Sequence, residues 1–352
     1  MTKLTISFTL LASSLLWSGC LEYHTTTRVN KDGSLVRTLD IRGDSDRVQG
    51  STYLLPMDTT WSAERSRIDD RKWQLKASRT FSSDRELNEF QQSLSHRVLR
   101  STVTLESSFS WFTTRYAFTE VMHTFNTFQL VPISDFISPS ELDAYLKFEI
   151  SKEGYPTKGD SLALEDASDR YEEWQRRSEF ASYFQAFLHG AERASDPRST
   201  PAELGKAKER LYADYLKAVA AKDGNVQPLD RKRLDAWTAS ASMRPFAGAV
   251  AVSKSECDSL IRESEYTQIV LQNSYKAGIE MPGTVISSNA RSAEGNLLTW
   301  EDYISYLYIS DFTLKAESQV WNWWAVVVTG VVVLAGPVAV MLRRRLRLQR
   351  GF

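Results

Sequence analysis

The chain has 352 residues and a mass of 40.0 kDa, enough for one large domain or two small ones. Hydrophobic residues make up 42% and charged residues 25%, a balance that excludes a wholly disordered chain. Six of the 43 basic residues, Lys3 and five arginines, lie in the terminal segments. The other 37 face 44 acidic residues, a net charge of about −7 for the body. This acidic body excludes nucleic acid as an expected partner.

The N-terminal segment, residues 1–19, has the pattern of a secretory signal peptide. Lys3 precedes a short apolar stretch that ends in the letters SGC, of which Cys20 is the last. Ordinary cleavage before Cys20 would put Trp17 at a position that prefers a small residue. The ending instead resembles the lipobox of bacterial lipoproteins, and we interpret Cys20 as a lipid-attachment site. A plain signal peptide and an uncleaved N-terminal anchor are the alternatives.

A second apolar segment, residues 320–342, carries no charged side chain and is long enough to cross a hydrocarbon core of about 30 Å. Tryptophans, which favour membrane interfaces, flank one end, and arginines flank the other. The flanking residues are Trp321, Trp323 and Trp324 on one side, and Arg343, Arg344 and Arg345 in a basic tail of residues 343–352 on the other. We predict a transmembrane helix. A buried core helix is the alternative.

The two ends predict the same topology. The signal peptide exports the N-terminus, and arginines stay on the cytoplasmic side of a membrane. The protein is therefore expected to be bitopic in the cytoplasmic (inner) membrane, with its main domain extracytoplasmic and its C-terminus in the cytoplasm. Acyl chains on Cys20 and the C-terminal helix would both bind membrane lipid, the partner we expect. With both ends held, the body is expected to lie close to the bilayer.

Residues 20–137 predict the β-rich first part of the extracytoplasmic domain. Threonines and valines around the turn at Asp32 and Gly33 predict a β-hairpin over residues 23–43. Further predictions are a strand over 71–81, a helix over 82–94 with Ser83 as its N-cap, and two strands within 100–122 joined near Ser110.

Helical periodicity dominates residues 138–272, which we interpret as a helical insertion. Thr200 and Glu203 form a capping box ahead of an amphipathic segment, which is expected to end at residues 223–225. A shorter helix is expected to begin at Pro228. A last helix covers residues 253–272, where the letters TQIVL leave a strand as the alternative.

Strand patterns return in residues 273–319. Pro282-Gly283 and a later Gly-Asn turn separate three short strands, and a last strand leads to the tryptophans. Strands at both ends of the body with helices between them predict an α+β fold. We expect an antiparallel sheet of N- and C-terminal strands packed with a helical insertion, plus a C-terminal transmembrane helix.

Several of these residues together resemble the LppM-like bacterial lipoproteins, uncharacterised tethered proteins with a C-terminal transmembrane helix. The resemblance covers about half of the chain. It is carried by Cys20 and Asp32-Gly33, by Met281-Pro282-Gly283 with Asn289, Gly295-Asn296 and Trp300, and by the stretches SWFTTRYAFTE and SQVWNWW. It implies a fold rather than an activity, because these are turn and core residues and the family has no settled catalytic residues.

No constellation predicts a reaction, a metal site or a cofactor, and whether the protein is an enzyme stays open. The four histidines, His24, His96, His123 and His189, are not spaced as ligand pairs. We interpret Cys257 as a small buried residue rather than a reactive thiol.

An aromatic group within residues 109–118 has two interpretations. Trp111, Phe112, Tyr116 and Phe118 belong to it. As alternating strand residues, some of them face the core. Alternatively, they line an apolar pocket for an acyl chain or a partner.

Three functions are therefore open. The first is a membrane-anchored binding or scaffolding module that meets an envelope protein. The second is a lipid-binding or lipid-handling module with an apolar cavity. The third is a hydrolase of cell-envelope polymers.

Overall fold

A computed structural model describes residues 21–44, 48, 58–94, 99–151, 158–194, 196–220 and 228–349. The fold is α+β, 47% helical and 30% strand, which confirms the predicted class. The chain forms two compact units. The first, here called the sheet unit, comprises Met1–His123, Ser274–Tyr303 and Asp311–Phe352, and the second, the helical unit, comprises Thr124–Asn273 and Ile304–Ser310.

The strands follow in chain order. They are β1 (Glu22–Val29), β2 (Leu35–Asp44), β3 (Ser62–Arg67), β4 (Lys72–Phe81), β5 (Ser101–Phe109), β6 (Thr113–Met122), β7 (Ser274–Glu280), β8 (Thr284–Ser288), β9 (Ser292–Glu294), β10 (Leu297–Glu301) and β11 (Phe312–Trp321). The helices are α1 (Asp84–Ser93), α2 (Pro139–Ser151), α3 (Lys158–Arg193), α4 (Pro201–Val219), α5 (Arg231–Thr238), α6 (Ala247–Leu271), α7 (Ile304–Ile309) and α8 (Trp323–Gln349). Single 3₁₀ turns occur at Ile133–Asp135 and Arg244–Phe246.

The strands form two sheets in the sheet unit, and each sheet combines strands from both ends of the body. A seven-stranded sheet has the order β3-β4-β2-β1-β7-β10-β9, and a four-stranded sheet has the order β5-β6-β11-β8. Pairing is antiparallel except between β1 and β7, where Thr25 lies opposite Ala277 in parallel register. A parallel pair needs a long crossover connection, and the helical insertion lies between these two strands in the sequence.

Local turn and cap signals predict several elements correctly. The β1–β2 hairpin turns at Gly33, whose φ of 87° suits a residue without a Cβ atom. The carboxylate of Asp32 accepts a hydrogen bond from the backbone N–H of Ser34 at 3.0 Å. α4 begins at its predicted cap, where the hydroxyl of Thr200 accepts from the N–H of Glu203 at 3.3 Å.

Helix α1 covers the outer edge of the four-stranded sheet. Ser83 caps the helix, as predicted. Asn88 exchanges two hydrogen bonds of 2.7 Å with the backbone of Val103 in β5, and the carboxylate of Asp84 accepts from the N–H of Leu105 at 3.0 Å. These bonds satisfy backbone groups that an edge strand would otherwise leave open.

Some elements were not predicted, and two predicted details differ from the structure. The last strand is preceded by helix α7, and strands β3 and β9 were not predicted. The strand alternative at TQIVL is wrong because α6 is helical throughout, with Thr267 and Val270 buried one turn apart. The short helix begins at Arg231 rather than Pro228, because the carboxylate of Asp230 caps it. The expected helix end at residues 223–225 lies outside the described residues.

The helical unit has its own aromatic core. The core is built by α3, α4, α5 and α6, and its largest fully buried members are Tyr183, Phe187, Tyr215 and Trp237. α3 and α6 approach each other closely at Gly190, where a Cβ atom would collide with the backbone carbonyl of Ala249. Gly190 is therefore required by packing, whereas Gly205 in α4 faces open space.

We expect Gly190→Ala to destabilise the helical unit by about 1–3 kcal/mol, because the added methyl group forces the two helices apart. The matched substitution Gly205→Ala should stabilise by up to about 1 kcal/mol, since alanine is the better helix former and meets no atom. Thermal unfolding of the detergent-solubilised chain, followed by circular dichroism, measures both. Equal melting temperatures for the two variants would contradict the close approach of α3 and α6.

Candidate functional site

The sheet unit continues into the apolar helix without a linker. Only Asn322 separates the end of β11 from the start of α8. Its backbone N–H donates to the carbonyl of Phe112 at 2.8 Å, and its side-chain amide donates to the carbonyl of Ser110 at 3.0 Å. Its side-chain oxygen accepts from the hydroxyl of Thr114 at 3.2 Å. Asn322 thereby fastens the helix to the β5–β6 turn.

Six exposed aromatic side chains surround this junction, and we call them the aromatic collar. They are Phe109, Trp111, Phe112, Trp321, Trp323 and Trp324. Their exposed fractions run from 42% for Phe112 to 69% for Trp323. Soluble proteins rarely expose so many large aromatic residues in one patch, and such patches mark interaction surfaces.

The collar is held together by contacts between the β5–β6 turn and the first two turns of α8. Phe109 stacks on Trp324 with ring centroids 6.4 Å apart, and Trp111 meets the same ring edge-on at 5.4 Å. The indole N–H of Trp111 donates to the hydroxyl of Thr329 at 2.8 Å. The turn therefore lies alongside the helix rather than apart from it.

The segment Trp323–Met341 of α8 is long and apolar enough to cross a membrane, by length and composition. It exposes most of its side chains, including Leu334 with 73% of its surface. Arg343, Arg344 and Arg345 continue the helical backbone beyond it. Cys20 lies outside the described residues.

The structure separates the four residues of the predicted apolar pocket. Tyr116 and Phe118 lie on β6 and are buried, with 5% and 1% of their surface exposed. The hydroxyl of Tyr116 donates to the carbonyl of Lys31 at 2.6 Å, and burial, with the charge of Asp32, raises its pKa. Trp111 and Phe112 instead belong to the exposed turn. Two of the four residues are therefore core residues, and two belong to the exposed turn.

A small cavity of about 50 Å³ lies between the two sheets of the sheet unit. Arg37, Gln91, Ser101 and Tyr303 contribute to its lining. Binding pockets for small molecules usually measure about 300–1,000 Å³, so this cavity suits a few water molecules and not an acyl chain.

A buried ion pair lies beside this cavity. The guanidinium of Arg37 contacts the carboxylate of Glu120, and both residues are at least 95% buried. Arg37 also approaches the hydroxyl of Ser101 at 3.4 Å. The pair joins the inner face of β2 to that of β6, so it connects the two sheets.

The remaining reactive side chains do not form a catalytic group in the described part of the chain. His123 contacts Asp311 at 3.1 Å, and His189 contacts Glu256 at 2.9 Å, both near the surface. Burial raises the pKa of Cys257 to about 11, which suppresses the reactive thiolate. Among the described residues, no group of three or more His, Cys, Asp or Glu side chains could hold a metal ion. Burial also lowers the pKa of His24, while His96 lies outside the described residues.

Protein-family models, curated proteins and solved structures yield no match to this chain. The resemblance to LppM-like lipoproteins therefore stays a prediction. The residues that carry it include structural ones. Gly283 has a φ of 78° and leaves no room for a Cβ atom beside the carbonyl of Gln319. Asn289 bonds the backbone of β11 at Thr313, and its own carbonyl accepts from the indole of Trp300.

Sequence reasoning identified the tryptophans at the helix start and placed Phe109 in the aromatic group, but it missed Asn322 and Thr329. The sequence does contain an unusual feature at this turn. The letters FSWF stand where hairpin turns usually carry glycine, asparagine or aspartate, so aromatic residues there point to a role other than forming the turn. The contacts of Asn322 and Thr329 join residues about two hundred positions apart and leave no local pattern.

We expect Arg37→Met to destabilise the sheet unit by about 3–5 kcal/mol, because it leaves the Glu120 carboxylate buried without its partner. The double variant Arg37→Met, Glu120→Leu should recover most of that loss, since it removes both charges. Denaturant unfolding of the purified chain measures the two values. A single variant as stable as the wild type would mean that the pair is open to water.

Proposed function

We propose that this protein is a membrane-anchored extracytoplasmic module at the outer face of the cytoplasmic membrane, with a binding or scaffolding role. The observation that carries the proposal is the continuity of β11 with the apolar helix α8 through Asn322. A folded unit fastened in this way is held at a fixed height above the bilayer. The arginines after residue 342 favour a cytoplasmic C-terminus.

The collar supports the same orientation. Tryptophan and other aromatic rings concentrate at the level of lipid headgroups, where the ring is apolar and the indole N–H stays hydrogen-bonded. Its six members surround the point where α8 begins, the position expected of an interfacial belt. The small cavity gives no support to a lipid-handling role, because an acyl chain does not fit in it.

A lipid on Cys20 would attach at the other end of the sheet unit. Contacts between the sheets follow the same order along β2 and β6. From the hairpin end they are Lys31 with Tyr116 and Arg37 with Glu120, and beyond these Leu39 and Met122 both line the cavity. β1 begins at the Met122 end, since Glu22 lies opposite Arg42. β6 has 10 residues and a length of roughly 30 Å, so Leu21 lies towards the end of the sheet unit away from the collar.

We expect the Cys20→Ala variant to stay in the membrane fraction after alkaline carbonate extraction, because α8 alone suffices as an anchor. Deleting residues 323–352 in that variant should release the protein. Mass spectrometry of the mature N-terminus, in wild type and Cys20→Ala, reports whether Cys20 carries acyl chains. Release of the full-length Cys20→Ala chain by carbonate would show that α8 is not a span.

The orientation has a separate test. Protease added to intact spheroplasts should digest both compact units, because they face outward, and should leave an epitope tag placed after Phe352 protected. Permeabilised cells provide the control in which the tag is also digested. A protected body with a digested tag would reverse the proposed topology.

A further inference from the structure

The β5–β6 turn ends in three apolar side chains that do not pack into the core, and we call them the tip. Phe109, Trp111 and Phe112 are all exposed and point away from the core, separated only by Ser110. The nearest charged residue on β6, Arg115, is paired with Glu317 on β11, and its hydrogen bond lowers the pKa of that carboxyl. The tip is therefore free of charge, whereas the strand immediately behind it is charged.

The hydrogen bond between Trp111 and Thr329 sets the position of this tip along α8. Thr329 lies six residues beyond Trp323, which is roughly 9 Å along the helix axis. Where the segment Trp323–Met341 crosses a bilayer, Thr329 lies below the start of the span. The indole that donates to its hydroxyl at 2.8 Å must lie at the same depth.

We propose that the β5–β6 tip inserts into the outer leaflet beside α8, so that the protein contacts the lipid through a span and an interfacial hairpin wedge. This inference rests on the proposed function, since it requires α8 to span the membrane. The partner that the apolar tip contacts is the lipid surface itself. Continuity with the helix argues for lipid over a protein partner, because Trp324 and Thr329 belong to the span and to the wedge contact alike.

Several backbone groups of the tip are already hydrogen-bonded within the protein, which favours insertion. Polar backbone groups without partners are costly in lipid, so an inserted loop must bond them internally. Ser110 and Thr113 exchange backbone hydrogen bonds of 2.7 and 3.1 Å. Asn322 supplies donors to the carbonyls of Ser110 and Phe112. The Trp111 indole and the Thr329 hydroxyl bond each other, so neither polar group enters the leaflet alone.

Environment-sensitive labels can measure the depth of the tip. Single cysteines are introduced by Phe112→Cys, Thr104→Cys and Val331→Cys in a full-length chain carrying Cys20→Ser and Cys257→Ser. Each variant is labelled with the fluorophore NBD and reconstituted into phosphatidylethanolamine–phosphatidylglycerol vesicles. Thr104 is the matched control, because it is exposed on β5 five residues from Phe109, about 17 Å away. Val331 lies inside the apolar segment and reports the span.

We expect lipids with a nitroxide near the headgroup to quench the label at 112 several-fold more than the label at 104. Quenching at 331 but not at 112 would overturn the wedge and leave the anchor standing. A label at 112 that is shielded from water yet insensitive to nitroxide lipid would also overturn it, in favour of a protein partner or a second copy. A label at 331 that lipids with a nitroxide on the acyl chain do not quench would overturn the proposed function and the wedge together.

Discussion

The structure depends above all on one constraint, which is that the paired strand β11 continues directly into the apolar helix α8. β11 lies between β6 and β8 and is hydrogen-bonded on both sides, so its position is determined by the whole four-stranded sheet. Asn322 then joins the helix start to the β5–β6 turn through its backbone and side chain. Because no flexible residue intervenes, whatever holds α8 also orients the sheet unit. The collar follows from this constraint, since the same turn places its aromatic residues beside the helix.

Contacts in the interior of the sheet unit hold the seven-stranded sheet in a fixed position against the four-stranded sheet. The ion pair between Arg37 and Glu120 is expensive to bury, and a pair of apolar residues would give similar stability. The pair instead fixes how the two sheets are aligned. Arg37 on β2 and Glu120 on β6 can meet in only one alignment of the two strands. The bond from Tyr116 to Lys31 selects the same alignment nearer the collar. The β1–β2 turn therefore lies towards the collar, and the start of β1 lies away from it.

The parts of the fold that local chemistry decides could be predicted, and the parts that depend on distant contacts could not. Gly33, Ser83 and Thr200 each mark an element boundary by a rule that spans a few residues, and the structure has those boundaries. The parallel pairing of β1 with β7 joins strands on either side of the helical insertion. The aromatic group could not be divided correctly either. Alternation buries Phe118, but only the location of the turn shows that Trp111 lies outside the sheet.

The two predicted anchors adjoin different ends of the sheet unit. Where the hairpin tip reaches the leaflet, the collar end of the sheet unit lies at the lipid, and the start of β1 lies towards the opposite end. The described chain starts with Leu21, which is buried and directly precedes β1. Because Asn322 joins β11 to α8 without a linker, any tilt of the sheet unit also tilts α8, and the contact between Trp111 and Thr329 moves with them. The wedge at the collar and a lipid on Cys20 would therefore act on the tilt of the same rigid body.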